Sequence, residues 1–194
     1  MKTAHNDQRV GVFVDIQNMY YSAINLYDSK VDFKKILSDS VGNRRLVRAF
    51  AYVIKADSKE ESGFFEALEK IGFEVKSKDL QVFYGGNKKG DWDVGIAMDA
   101  VRMSGKLDSV ILVSGDGDFV DLVKYLQSQG CRVEVVSFGR STSSKLIEEA
   151  DSHTDLDGQK KYLRRKNKPG KRSKKKGSKV SAKKSRNKTS RKKK

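Results

Sequence analysis

Four aspartates fall where a parallel sheet would bring them together. Asp15 closes the apolar run 10–14, in Val12-Phe13-Val14-Asp15-Ile16-Gln17-Asn18. Asp116 and Asp118 follow a second run, 110–113, in Ser114-Gly115-Asp116-Gly117-Asp118-Phe119. Asp93 opens a helical pattern after the glycine-rich stretch 85–90. In an open α/β sheet the strand C-termini share one edge, and ligands bind there. Carboxylates gathered at that edge repel one another, and burial raises the cost. A hard divalent cation relieves it, and oxygen-only ligation without a nearby His or Cys points to Mg²⁺ or Mn²⁺. Such an ion polarises a phosphoryl oxygen and acidifies a bound water.

Taken singly, each acid has a plainer reading. Asp118 reads as a helix N-cap and Asp93 as a first-turn acid favoured by the macrodipole. Taken jointly, the four favour a metal site. Asn18 is placed to hold Asp15 or to bond a phosphate oxygen, and Ser114 to support the acids from behind. Asp99 lies six residues beyond Asp93, off the same helical face, and belongs behind the acids or in a salt bridge. Lys88, Lys89 and Lys145 are the cations expected to meet phosphate, with the hydroxyls of Ser141 and Thr142 at a helix N-terminus. Glycines 115 and 117 permit a tight turn between strand and helix. The stretch 85–90 lacks the G-K-[ST] of a P-loop.

The elements that must position these groups alternate. Strands are expected at 10–14, 46–54, 73–76 (or within 80–84), 110–113 and 132–137. Helices are expected at 18–27, 32–38, around Phe64, Phe65, Leu68 and Ile71, at 92–103, after the SGDGD run, and at 142–150. Gly72 and Gly130 sit where helix C-caps belong. Alternating β and α with short connections predicts a doubly wound parallel sheet. His5 and His153 are expected to be solvated, and Trp92 and Phe119 to be core residues.

Charge divides the chain at about residue 158. The protein has 194 residues and a net charge of +16. Residues 159–194 hold 20 Lys/Arg and no acid, leaving 1–158 with 21 basic and 25 acidic side chains, a net charge of −4. The reading is one compact acidic domain, 1–158, and a Lys/Arg-rich disordered tail, 159–194. Tail residues such as Lys171, Arg172, Lys174, Lys175, Lys176, Lys183 and Lys184 suit phosphate contacts on RNA, or on DNA, without base selection. No apolar run is long enough to span a bilayer, and no lipidation motif supports a membrane sleeve. The N-terminus carries no apolar signal region, and a single cysteine, Cys131, excludes a disulfide framework or a cysteine-based metal site. The expected setting is cytoplasmic, or nuclear should the source be eukaryotic.

The ordered set VFVDIQN, KKGDWDVGIAMDAV, ILVSGDGDFVDLV, VEVVSFG and SSKLIEEAD resembles the NYN domain, in the LabA-like branch of the PIN-like nuclease superfamily, over about residues 8–155. The resemblance implies a three-layer α/β/α sandwich with a five-stranded, mainly parallel sheet in the order 3-2-1-4-5. It also implies a metal-dependent ribonuclease with Asp15, Asp93, Asp116 and Asp118 as its acidic site and Asn18 beside them. Trp92, before the helix acid, stands where the family commonly has an apolar residue, a conservative difference. A regulator that binds RNA or DNA on the same fold without turnover is the alternative. A phosphohydrolase of small nucleotides would leave the tail unexplained.

Overall fold

The computed structural model describes residues 6–55, 59–82 and 88–165. In chain order the elements are β1 (Arg9–Asp15), α1 (Ile16–Tyr27), β2 (Ser29–Val31), α2 (Phe33–Val41), β3 (Arg45–Lys55), α3 (Lys59–Ile71) and β4 (Glu74–Asp79). They continue with β5 (Gln81–Val82), β6 (Lys88–Lys89), α4 (Asp93–Ser104), β7 (Ser109–Val113), α5 (Val120–Ser128), β8 (Arg132–Ser137), α6 (Ser144–Glu149), β9 (Ser152–Asp155) and β10 (Leu163–Arg165). The main sheet runs β4-β3-β1-β7-β8-β9, and every pair in it is parallel.

The pleat sorts side chains into two cores. Val10, Val12 and Val14 of β1 face α1, α2 and α3, where Met19, Ala23, Ile36 and Leu68 meet them. Phe13, Phe50, Tyr52 and Leu112 point the other way, onto Ile96, Ala100, Val123, Leu126 and Leu146 of α4, α5 and α6. Helices on both faces of a parallel sheet give the expected three layers. The near-continuous apolar runs follow from strands buried on both sides.

The sheet has six strands, not the five expected. The sixth, β9, pairs with β8 from Glu134↔Ser152 to Ser137↔Asp155. Its residues, Ser-His-Thr-Asp, form no apolar run because an edge strand is bonded on one side only and half-exposed. His153, expected to be solvated, is half-buried in this strand, with Nε2 3.0 Å from Ser137 Oγ. Burial lowers its pKa.

Ordered structure also extends beyond residue 158. A turn at Lys160–Tyr162 leads into β10, which pairs antiparallel with β2. Tyr162 is 4% exposed inside the first core. Its hydroxyl donates to Asp39 (3.1 Å), while Lys161 and Arg164 pair with Asp39 and Asp32 at 2.9 and 2.7 Å. Composition placed these basic residues with the tail, but one buried aromatic and three contacts to two acids, Asp39 and Asp32, draw them back onto the domain. Lys171, Arg172, Lys174, Lys175, Lys176, Lys183 and Lys184 lie outside the described residues. No helix among the described residues is long and apolar enough to cross a membrane.

Candidate functional site

Asp15 ends β1 and caps α1: its Oδ1 accepts from the Asn18 amide at 3.0 Å. The Asn18 side-chain oxygen in turn accepts from Gly115 N at 3.0 Å, tying the end of β1 to the loop after β7. In that loop the buried Ser114 hydroxyl accepts from Asp116 N (3.2 Å), and Asp116 accepts from Asp118 N (3.0 Å), capping the turn Gly117–Phe119. Both glycines lie where the loop passes close to residues 141–143. A Cβ at Gly115 would lie 3.0 Å from the Ser141 carbonyl oxygen, and one at Gly117 would lie 2.8 Å from Ser143 Oγ.

Asp93 enters from a third element. Trp92 anchors the start of α4 by donating from Nε1 to the Val53 carbonyl (2.8 Å) and packing 5.2 Å from Tyr52. Asp93, the next residue, is thereby set at the C-terminal edge of the sheet. Asp15, Asn18, Asp93, Asp116 and Ser141 line one cavity of about 340 Å³, together with Gln17, Tyr21, Ser22, Asn25, Leu26, Asp91 and Trp92.

Asp15 and Asp93 feel the carboxylates around them. Asp15 is only 8% exposed. Burial, and after it the charges of Asp93 and Asp116, lifts its pKa to about 6 against the opposing hydrogen bond from Asn18. Asp93 is raised by burial, then by Asp116, Asp91 and Asp118, with Lys78 opposing. Carboxylates raised by neighbouring like charges mark a site which gains from a cation. Even so, among the described residues no three carboxylates form a ready-made metal cage. The oxygen-only donors Asp15, Asp93 and Asp116 fit a hard divalent cation.

The remaining sequence candidates fall elsewhere. Asp118 is exposed at the rim, near enough to raise Asp93 but outside the cavity lining. Asp99 turns away from the acids, taking Lys76 Nζ at 2.5 Å and the Tyr52 hydroxyl at 2.9 Å. Burial opposes ionisation of Asp99, but those two donors outweigh it and hold its pKa low, so it is a salt-bridge residue. Thr142 is not available to phosphate, since its hydroxyl is engaged by the Phe138 carbonyl and by Ser137, both at 2.7 Å. Ser141 borders the cavity but donates to Ser22 (2.9 Å) and to the Phe138 carbonyl. Lys145 is exposed on α6 and does not line the cavity. Lys88 and Lys89 form the backbone partner of Gln81–Val82, and their side chains lie outside what the structure describes.

Sequence reasoning missed Lys78, whose Nζ lies 4.2 Å from the Trp92 ring centroid and opposes the charge on Asp93. It also missed the side chains that α1 contributes. Their spacing, Gln17, Tyr21 and Asn25 at i, i+4 and i+8, was a readable signal.

This arrangement, a parallel sheet whose C-terminal edge carries converging acids, is a PIN-like, nuclease-type fold. Residues 9–157 match the NYN domain family, and the chain belongs to it. The chain is LabA-like within that family: it is 27% identical over 175 residues to low amplitude and bright protein LabA of Synechococcus elongatus, across 86% of this chain and 93% of that protein. A crystal structure of a Vibrio parahaemolyticus protein of unknown function matches the fold with a TM-score of 0.76 at 36% identity, over 84% of this chain and 99% of that one. NYN domains are generally ribonuclease-like, and PIN-like nucleases typically use divalent metal ions.

Proposed function

We propose that the protein hydrolyses RNA phosphodiester bonds at the Asp15–Asp93–Asp116 cavity with Mg²⁺ or Mn²⁺, and that residues 166–194 tether the nucleic acid. The observation that carries this reading is that carboxylates from β1, α4 and the loop after β7 surround one cavity, where the charges of Asp93 and Asp116 add to burial in raising Asp15, and that of Asp116 adds to burial in raising Asp93. Asp15, Asp93 and Asp116 would hold the ion, with Asp118 at the rim as a further oxygen donor. When bound, the ion supplies charge for the phosphate and an acidified water. Asn18 has committed its carbonyl oxygen to Gly115, so its amide N–H groups are left to donate to a phosphate oxygen. Buried Ser114 keeps the Asp116 backbone in place. No side chain needs to form a covalent intermediate.

The tail complements this face. Sixteen of residues 166–194 are Lys or Arg and none is acidic. Arg165, which precedes this run, is paired with Ser29 just past the end of α1. Twelve helical residues separate that point from Asp15, a distance of about 18 Å. A polyanion held there stays near an acidic face that would otherwise repel it.

The lack of a ready-made three-carboxylate group among the described residues favours one second reading, a non-catalytic regulator that binds RNA or DNA. Incubating the purified full chain with labelled RNA and DNA in Mn²⁺, Mg²⁺ or chelator separates the two. Metal-dependent cleavage of RNA, lost by at least about 100-fold in Asp116→Asn, is the result expected when a group that stabilises transition-state charge is removed. Binding with no cleavage in either ion would overturn the nuclease reading in favour of the regulator.

A further inference from the structure

The polar side chains around the acid cavity divide into two sets. Asp15, Asn18, Ser22 and Ser141 are hydrogen-bonded within the site, through the Asn18 amide, Gly115 and each other. Gln17, Tyr21 and Asn25 are not. Their side-chain polar atoms have no hydrogen-bond partner among the described residues, yet all three line the cavity from one stripe of α1. Tyr21 is 54% exposed, and its ring lies 5.7 Å from that of Tyr20 in an edge arrangement. The stripe is neutral, and among the described residues no Lys or Arg lines the cavity.

We infer that this stripe is a nucleobase subsite, in which Tyr21 stacks on an unpaired base and the amides of Gln17 and Asn25 meet that base's edge. The inference rests on the proposal above that a nucleic-acid phosphate sits at Asp15, Asp93 and Asp116. A phosphate on this wall would meet carboxylates and no cation, whereas a base is uncharged, has a π-face and carries donors and acceptors on its edge. Amides supply both a donor and an acceptor, as base edges require. Tyr21 lies six residues beyond Asp15, about 9 Å along the helix, so the base belongs to a nucleotide at or beside the phosphate at the acids. A paired base is stacked within its duplex with its edge in use, so only an unpaired one reaches a single tyrosine. The same wall therefore selects single strands.

The test measures binding by anisotropy of end-labelled single-stranded RNA to the full chain carrying Asp116→Asn, so that the RNA survives in Mg²⁺. Raised salt weakens the phosphate contacts of the tail. A single abasic nucleotide is walked along the oligonucleotide. Loss of one stack should weaken binding at one abasic position by roughly 5- to 150-fold, the equivalent of about 1–3 kcal/mol. Adding Tyr21→Ala should weaken intact RNA by the same factor and abolish the abasic effect, while Tyr21→Phe keeps both. Asn25→Ala and Gln17→Ala should flatten affinity differences among the four homopolymers. Equal affinity of the Tyr21→Ala protein for intact RNA, or an unchanged abasic profile, overturns the subsite. Failure of the nuclease reading is recognised separately, as absence of metal-dependent cleavage by the unmutated chain, with the abasic comparison still reading the subsite.

Discussion

Replacing Asp15 by asparagine should stabilise the metal-free protein at neutral pH and change little in acid. The folded-state pKa of about 6, against an ordinary 3.8, corresponds to about 3 kcal/mol by linkage, an upper figure once structural relaxation is allowed. The sign follows from where the proton binds more tightly. Below pH 4 Asp15 is protonated in both folded and unfolded chains, and its burial costs little. Between pH 4 and 6 the unfolded chain ionises first, so stability falls as pH rises. Above pH 6 the folded carboxylate is ionised too, and the whole penalty remains. Asparagine removes this charge yet still caps α1, because its side-chain carbonyl can accept from the Asn18 amide as Asp15 does. Urea denaturation of both proteins in chelator, from pH 4 to 8, should show a difference that opens between pH 4 and 6. It should then level off at about 1–3 kcal/mol, or about 2–10 °C in Tm for a domain of this size. Millimolar Mn²⁺ should raise the Tm of the wild type more than that of the variant, by mass action on the folded state. A variant less stable at every pH, or a gap independent of pH, would refute the claim that Asp15 is a buried charge held against its own desolvation.

Three further outcomes are expected. Tyr162→Ala should cost about 3 kcal/mol in urea denaturation, because it empties an aromatic site in the first core, whereas truncation after Arg165 should leave stability unchanged. That truncation should weaken RNA and DNA alike. If residues 166–194 cover about 6–10 phosphates, the slope of log K against log salt falls in magnitude by about 4–9, while cleavage at saturating RNA persists. Gly115→Ala sets a Cβ against the backbone of Ser141 and Thr142. It should cost about 1–3 kcal/mol by overpacking and lower turnover by shifting Asp116, as read by denaturation and single-turnover cleavage.

The parallel sheet and the placing of the acids were legible in the chain itself, whereas the strand order followed from the resemblance to the NYN domain. Strands such as 110–113 are continuous apolar runs because they are covered on both faces. A carboxylate that follows such a run in a parallel sheet has one place to be, the C-terminal edge. That reasoning needs only local pattern and the geometry of crossover connections, and it put Asp15, Asp93 and Asp116 around one cavity. What depended on distant partners was not readable. Asp99 leaves the site because Tyr52 and Lys76, 47 and 23 residues away, capture it. Thr142 is spent on Phe138 and Ser137. Strand β9 exists because the edge of β8 was free to bond it, not because Ser152–Asp155 favours a strand. Tyr162 sits in a basic run that composition assigns to solvent, and only the core beside α2, with Asp39 123 residues away, makes it part of the fold. Local burial pattern determines the elements, whereas the use made of each polar side chain is decided by whichever partner the closed chain brings within hydrogen-bond reach.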